Sequence, residues 1–321
     1  MSPRPLITHV YTADPSAHVF EDKLYLYPSH DRETDIPDND NGDQYDMVDY
    51  HVFSMDSIDG PVKDHGIALS LSGVPWASKQ LWAPDVAKKN GEYYFFFPAR
   101  DKAGIFRIGV AHSKRPEGPF RPEPEPIKGS YSIDPCSFVD DDGQAYLYFG
   151  GIWGGQLQCW RNSHFDPKGK EPADHEPALG ARVGVLSDDM KSFKEPVKEI
   201  QILDENGKPL LASDHERRFF ESPWMYKRNG VYYFTYSTGN THFLVYATSK
   251  SPLGPFTYQG RILEPVVGWT THQSIVDFKG KSYLFYHDSS LSGGKNHLRC
   301  VKVREITFDA NGKIKPMNGT A

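Results

Sequence analysis

Cysteine is scarce in this 321-residue chain: there are three, Cys136, Cys159 and Cys300, and no Cys-x-x-Cys spacing joins any two of them. An odd, scattered set builds neither a disulfide framework nor a thiolate zinc site, so reduced structural thiols are expected. Lysine-rich and arginine-rich runs are missing and the formal net charge is -6, which excludes an electrostatic footprint for nucleic acid. No apolar stretch approaches the roughly 20 residues needed to span a bilayer. Met1 to Val10 also lacks the hydrophobic region of a secretion signal. As it stands the sequence is expected to be a soluble, cytoplasmic protein with no membrane partner; a secreted protein already trimmed of its leader would look the same.

What the chain does have is 13% aromatic residues, 28 Gly and 25 Pro, a composition for short strands and tight turns rather than long helices. One pattern recurs five times: an acidic or histidine residue, an apolar strand, a turn and an aromatic strand. The copies open at Asp14, Asp85, Asp134, Glu221 and His272. Their aromatic strands are Leu24-Tyr25-Leu26-Tyr27, Tyr93-Tyr94-Phe95-Phe96-Phe97, Tyr146-Leu147-Tyr148-Phe149, Tyr232-Tyr233-Phe234-Thr235-Tyr236 and Tyr283-Leu284-Phe285-Tyr286. Asn90-Gly91 and Asn229-Gly230 are hairpin signals within it. A second pattern, Ser113 to Phe120, returns as Ser249 to Phe256 and reads as the loop between a blade's third and fourth strands.

Five sheets of about four strands arranged radially make a five-bladed β-propeller, all-β, and residues 1–321 are expected to form it as a single domain. A β-sandwich also has many hairpins but gives no reason for similar openings in every repeat. The polar segments from Phe165 to Gly180 and from Asp204 to Arg217 read as long loops around the third blade.

If each aromatic strand is second in its blade, the five openings meet at one mouth of the central channel. Carboxylates crowded there repel one another and are costly to desolvate, which points to a catalytic pocket. Glycoside hydrolysis needs a proton donor for the departing oxygen and, with inversion, a second carboxylate about 6.5 to 9.5 Å away to activate water. A third carboxylate beside the acid would keep it protonated.

Thr12-Ala13-Asp14-Pro15-Ser16, Leu81-Trp82-Ala83-Pro84-Asp85, Ser132-Ile133-Asp134-Pro135 and Phe220-Glu221-Ser222-Pro223 together resemble glycoside hydrolase family 43, in the family's order and along essentially the whole chain. The resemblance implies inversion, with Asp14 as general base, Glu221 as general acid and Asp134 tuning the pKa and orientation of Glu221. Taken alone, Asp14 or Asp134 would be an Asp-Pro turn.

By the same resemblance Trp82 is a pocket wall, with plain core as the alternative, and Arg299 reaches the substrate, with a surface ion pair as the alternative. Ile133 and Phe220 flank catalytic residues and are expected to line the pocket unless strand alternation turns them into a blade interface. His272 resembles a histidine on the propeller axis beside a calcium ion held largely by water, with a hydrogen-bonded channel histidine as the alternative. Asp85 is structural or a sugar-hydroxyl ligand. Asp38-Asn39-Asp40-Asn41-Gly42-Asp43 resembles a calcium loop but lacks the later glutamate, so it reads as a solvated loop at the pocket rim.

The implied activity is exo-hydrolysis of terminal β-D-xylose, α-L-arabinofuranose or both from xylan- or arabinan-derived oligosaccharides. An endo-arabinanase with an open groove and a silent sugar-binding propeller are the alternatives. The long insertions favour a closed rim, and retention of all three carboxylates speaks against a silent protein. No sandwich domain follows the fifth repeat, which leaves substrate preference open.

Overall fold

The computed structural model describes residues 3–161 and 163–320. Blade 1 holds β1 (Tyr11–Phe20), β2 (Lys23–Asp31), β3 (Asp49–Met55) and β4 (Lys63–Ser70). Blade 2 holds β5 (Ala77–Lys79), β6 (Asp85–Lys89), β7 (Glu92–Asp101), β8 (Phe106–Ser113) and β9 (Arg121–Pro122). Blade 3 holds β10 (Cys136–Val139), β11 (Ala145–Phe149), β12 (Arg182–Val185) and β13 (Lys198–Glu199). Blade 4 holds β14 (Ile202–Leu203), β15 (Glu221–Arg228), β16 (Val231–Ser237), β17 (Leu244–Ser249) and β18 (Phe256–Leu263), with β14 parallel to β18. Blade 5 holds β19 (Gln273–Phe278), β20 (Lys281–Asp288) and β21 (Cys300–Ile306).

Strands β1, β6, β10, β15 and β19 each neighbour the next, and β19 returns to β1, so five inner strands close a ring. The aromatic segments fall in β2, β7, β11, β16 and β20, the second strand of every blade. Both faces of such a strand press on other blades, so apolar residues run continuously along it instead of alternating. Phe95, Phe96 and Phe97 are all fully buried, each worth about 1.5–3 kcal/mol over exposure.

Two-residue hairpins set the register between first and second strands. Asn90 and Gly91 have φ of 52° and 75°, and Asn229 and Gly230 have 49° and 72°, the type I′ geometry that suits the strand twist. Both Ser-x-x-x-x-Gly-Pro-Phe loops join third to fourth strands, β8 to β9 and β17 to β18. Blade 5 gains its partner from the N-terminal segment: Leu6 N–H donates to Val301 O at 2.9 Å, and Ile7 packs with Phe278, Phe285 and Leu24 between blades 5 and 1.

The two insertions depart from expectation. Residues 165–180 and 204–217 lean on each other, with Ala178 N–H donating to Leu210 O at 2.8 Å, and border a cavity of about 670 Å³ on the outer side of blades 3 and 4. None of the three carboxylates lines that cavity. The first insertion extends the β11–β12 connection and the second the β14–β15 connection, and neither lines the pocket that holds the carboxylates.

Candidate active site

Three X-Pro steps turn the inner strands at the channel mouth. Asp14, Asp134 and Ser222 each precede a proline and have φ of 49°, 57° and 64°, a left-handed conformation costing about 1–2 kcal/mol for a residue with a Cβ. Register shifts at Ala13/Ser16 and Glu221/Trp224 mark bulges there, which re-aim side chains. Glu221 thus sits one residue before the position that Asp14 and Asp134 occupy, level with Ile133. The repeat placed all three carboxylates at the mouth but hid this offset, which separates Glu221 from the other two.

Asp14 is bound on every side. Its carboxylate accepts from Ser29 Oγ at 2.6 Å and from an Arg299 guanidinium nitrogen at 3.0 Å. Its backbone N–H donates to His287 Nδ1 at 2.9 Å, and the other ring nitrogen of His287 meets Thr270 O at 2.9 Å. Nδ1 is therefore the acceptor and Nε2 carries the proton, so the ring is neutral; burial, first of all, and the nearby Arg299 charge hold its pKa down at about 3. Burial would raise the Asp14 carboxyl, but Arg299, then His287, His272 and Ser29, outweigh it and bring it to about 2. With both rings uncharged at neutral pH, Arg299 is the cation that keeps Asp14 ionised.

Glu221 differs in each respect. No described residue hydrogen-bonds its carboxyl, which keeps partial exposure to the pocket. Burial and then the Asp14 charge raise it to about 7 against the opposing pull of Arg299. Asp134 is also raised, by burial and by repulsion from Glu221 and Asp14, although it accepts the Ser222 N–H at 2.9 Å. Asp134 and Glu221 titrate as a coupled pair that retains a proton where Asp14 has none.

The pocket encloses about 260 Å³, at the small end for ligand sites. Trp82, Ile133 and Phe220 all line it, together with Trp153 and Trp269. Trp82 serves both readings: it walls the pocket while packing with Met47, Phe106 and Ile133, and its Nε1 donates to Tyr45 O at 2.7 Å. Arg299 is no surface ion pair. It is 9% exposed, clamps Asp31 through two nitrogens at 2.8 and 2.7 Å, and covers the Tyr45 ring at 4.8 Å. The Asp38 to Gly42 loop does form rim, and Asp38 takes a hydrogen bond at 2.8 Å from Asn296 across the mouth. The first insertion acts one layer out, through Glu171, which accepts from Trp153 Nε1 at 2.9 Å and pairs with Arg218 at 3.5 Å.

Several residues of the site carry no sequence signal. Arg100, 4% exposed at the end of β7, donates to Asn41 O and Oδ1 at 3.0 and 2.9 Å and to Gln80 Oε1 at 2.7 Å, and lies 3.4 Å from Gly154 O. Gln80 in turn donates to Gly42 O at 2.9 Å. One guanidinium thus ties together the rims contributed by blades 1 and 3. His287 and Asp31, at the ends of β20 and β2, lie outside every repeat opening.

His272 faces Asp14 and Asp134 through Nδ1 at 3.6 and 4.0 Å, beyond hydrogen bonding, and burial foremost lowers its pKa to about 4. A neutral imidazole beside two carboxylates fits a cation held mostly by water, but is no cage for calcium by itself. Asp85 is structural. It is 1% exposed, accepts from Ser16 and His18 of blade 1 and from Ser137 of blade 3, and does not line the pocket.

Residues 3–314 match the glycosyl hydrolases family 43. The chain is 66% identical to xylosidase/arabinosidase 43A of Humicola insolens, over 97% of this chain and 98% of that one. It is 57% identical to a xylosidase/arabinosidase of Bacteroides ovatus, over 98% of each. A family 43 β-xylosidase/α-arabinofuranosidase from a compost microbial metagenome, solved with xylotriose in a calcium-free form, superposes with a TM-score of 0.98 at 61% identity, covering 99% of this chain and 98% of that one. The chain belongs to glycosyl hydrolase family 43.

Proposed function

We propose that this glycoside hydrolase releases terminal β-D-xylose or α-L-arabinofuranose from xylan- or arabinan-derived oligosaccharides with inversion. One observation carries the chemistry: a single small pocket holds one carboxyl at about 2 and another at about 7. Two carboxyls pushed apart in this way divide base and acid work. Asp14, ionised and immobile, takes a proton from water as its oxygen attacks the anomeric carbon. Glu221, protonated and unbonded, gives its proton to the departing oxygen. Asp134 fixes the Ser222 backbone beside the acid. The substrate class follows the names of the relatives, and a mouth bridged by Asp38 and Asn296 suits a chain end better than the middle of an arabinan. A calcium ion beside His272 would add positive charge near Asp14 and Asp134.

A proton NMR time course on an aryl β-xyloside and an aryl α-arabinofuranoside tests the proposal. Inverted sugar from either is expected; retained sugar would overturn the two roles, and no turnover of either would favour an endo-arabinanase or a sugar-binding propeller.

The pH profile has a definite sign. Glu221 must be protonated, so kcat/KM is expected to fall about tenfold per unit as pH rises past about 7. Asp14 stays ionised down to about 2, so no acid limb from the base is expected in the working range. An acid limb near 4 or 5 that vanishes on changing Asp14 would contradict this assignment.

Arg100→Met should loosen both rims while leaving the carboxylates alone. KM for an aryl xyloside is expected to rise about tenfold, equivalent to 1.4 kcal/mol, with kcat little changed because ground state and transition state lose the same contacts. An unchanged KM in a folded variant would show that the rims hold without it.

A further inference from the structure

Blade 1 carries a second cluster of titratable side chains, outside the carboxylate pocket. The period of two along β3 puts Asp49 and His51 on one face, and the β2–β3 ladder, with Leu26 opposite Phe53, brings His30 across to Asp49. His30 Nδ1 is 2.5 Å from an Asp49 oxygen, and the His30 and His51 ring centroids are 4.6 Å apart. One donor atom from each of His30, Asp49 and His51 lies within 4.8 Å of the other two, a grouping of metal-ligating residues found nowhere else among the described residues. Asp64 on β4 contacts His51 Nδ1 at 3.1 and 3.3 Å, and His9 Nε2 at 2.8 Å. None of these residues lines the carboxylate pocket.

We propose that His30, Asp49 and His51 form a binding site for a divalent first-row transition ion such as zinc, with Asp64 orienting His51. Two imidazole nitrogens and one carboxylate oxygen suit zinc, whereas calcium and magnesium demand more oxygen ligands. A carboxylate only accepts, so the Asp64 contact puts the His51 proton on Nδ1 and leaves the lone pair on Nε2. That is the outer carboxylate–histidine pairing typical of metal sites. Ligands of tetrahedral zinc lie about 3.3 Å apart, so a trio within 4.8 Å has to close by up to about 1.5 Å, within side-chain reach. The ion displaces the proton shared by His30 and Asp49, which leaves to solvent. His30 and Asp49 retain 23% and 16% side-chain exposure, so the ion has a path in and a water its fourth position. In the absence of a metal the same groups would only tie β2, β3 and β4 together as imidazole–carboxylate pairs.

The test is equilibrium dialysis of the full chain against zinc chloride at neutral pH, with bound metal measured per chain. A single zinc ion per chain is expected, a rise in melting temperature with zinc, and a tetrahedral visible spectrum when cobalt replaces it. His51→Gln should abolish binding while hydrolysis, in a pocket that His51 does not line, continues and reports a folded protein. Asp64→Asn should weaken binding by about 10- to 100-fold, which a purely structural role would not do. No retained zinc in the wild type, or wild-type retention in His30→Gln and His51→Gln, overturns the site. Zinc lost in Asp14→Asn but kept in His51→Gln would place the ion in the carboxylate pocket and overturn it as well.

Discussion

Asp14→Ala is expected to lower kcat/KM by about 100- to 10,000-fold, the worth of a general base, and azide is expected to restore part of it. The substitution is interpretable because Arg299 keeps both of its bonds to Asp31, so no buried guanidinium is left without a carboxylate. In the rescue, azide attacks the anomeric carbon where water did and the aglycone departs with the Glu221 proton. The product is a glycosyl azide of inverted configuration, recognisable by proton NMR. Full activity in Asp14→Ala would remove it as the base, and a retained azide would assign it the wrong face of the sugar.

Glu221→Ala is expected to cost about 100- to 10,000-fold with a poorly leaving aglycone and far less with dinitrophenol, whose oxygen departs without protonation. Equal losses across leaving groups would remove Glu221 as the acid. The same residue has a stability signature. A carboxyl raised from 4.5 to about 7 in the folded protein binds a proton that the unfolded chain releases, so its destabilising effect grows as pH rises from about 4.5 to 7 and is complete above. With partial exposure to the pocket discounted, the effect is on the order of 1–3 kcal/mol. Glu221→Gln should therefore melt a few degrees higher than the wild type at pH 8 and no higher at pH 4. An equal melting temperature at both would mean that neither burial nor the Asp14 charge raises the Glu221 carboxyl.

The five openings and the five aromatic strands were legible because a blade is a local object: hairpin turns such as Asn90-Gly91 and strand periods are written within about twenty residues. The resemblance then ranked three carboxylates that residue types alone had left equal. Placement of the insertions was misjudged, since a polar segment states its solvent exposure but not the direction in which it leaves the blade. The rim came from the Asp38 to Gly42 loop, whose acidic run had marked it, and from Trp153 and Trp269, two residues that nothing in their neighbourhoods distinguishes from ordinary loop residues.

By itself, then, the sequence determined an all-β propeller of five repeats with Asp14, Asp134 and Glu221 at one mouth. Only the tertiary structure decided which carboxyl holds a proton. Protonation depends on burial and on charges a few ångströms away, and the charge that holds Asp14 ionised belongs to Arg299, 285 residues further along the chain. The offset of Glu221 by one residue depends on a left-handed Ser222 and a bulge in β15, backbone states that an X-Pro step permits without requiring. Arg100 and His287 have meaning only where loops from different blades converge.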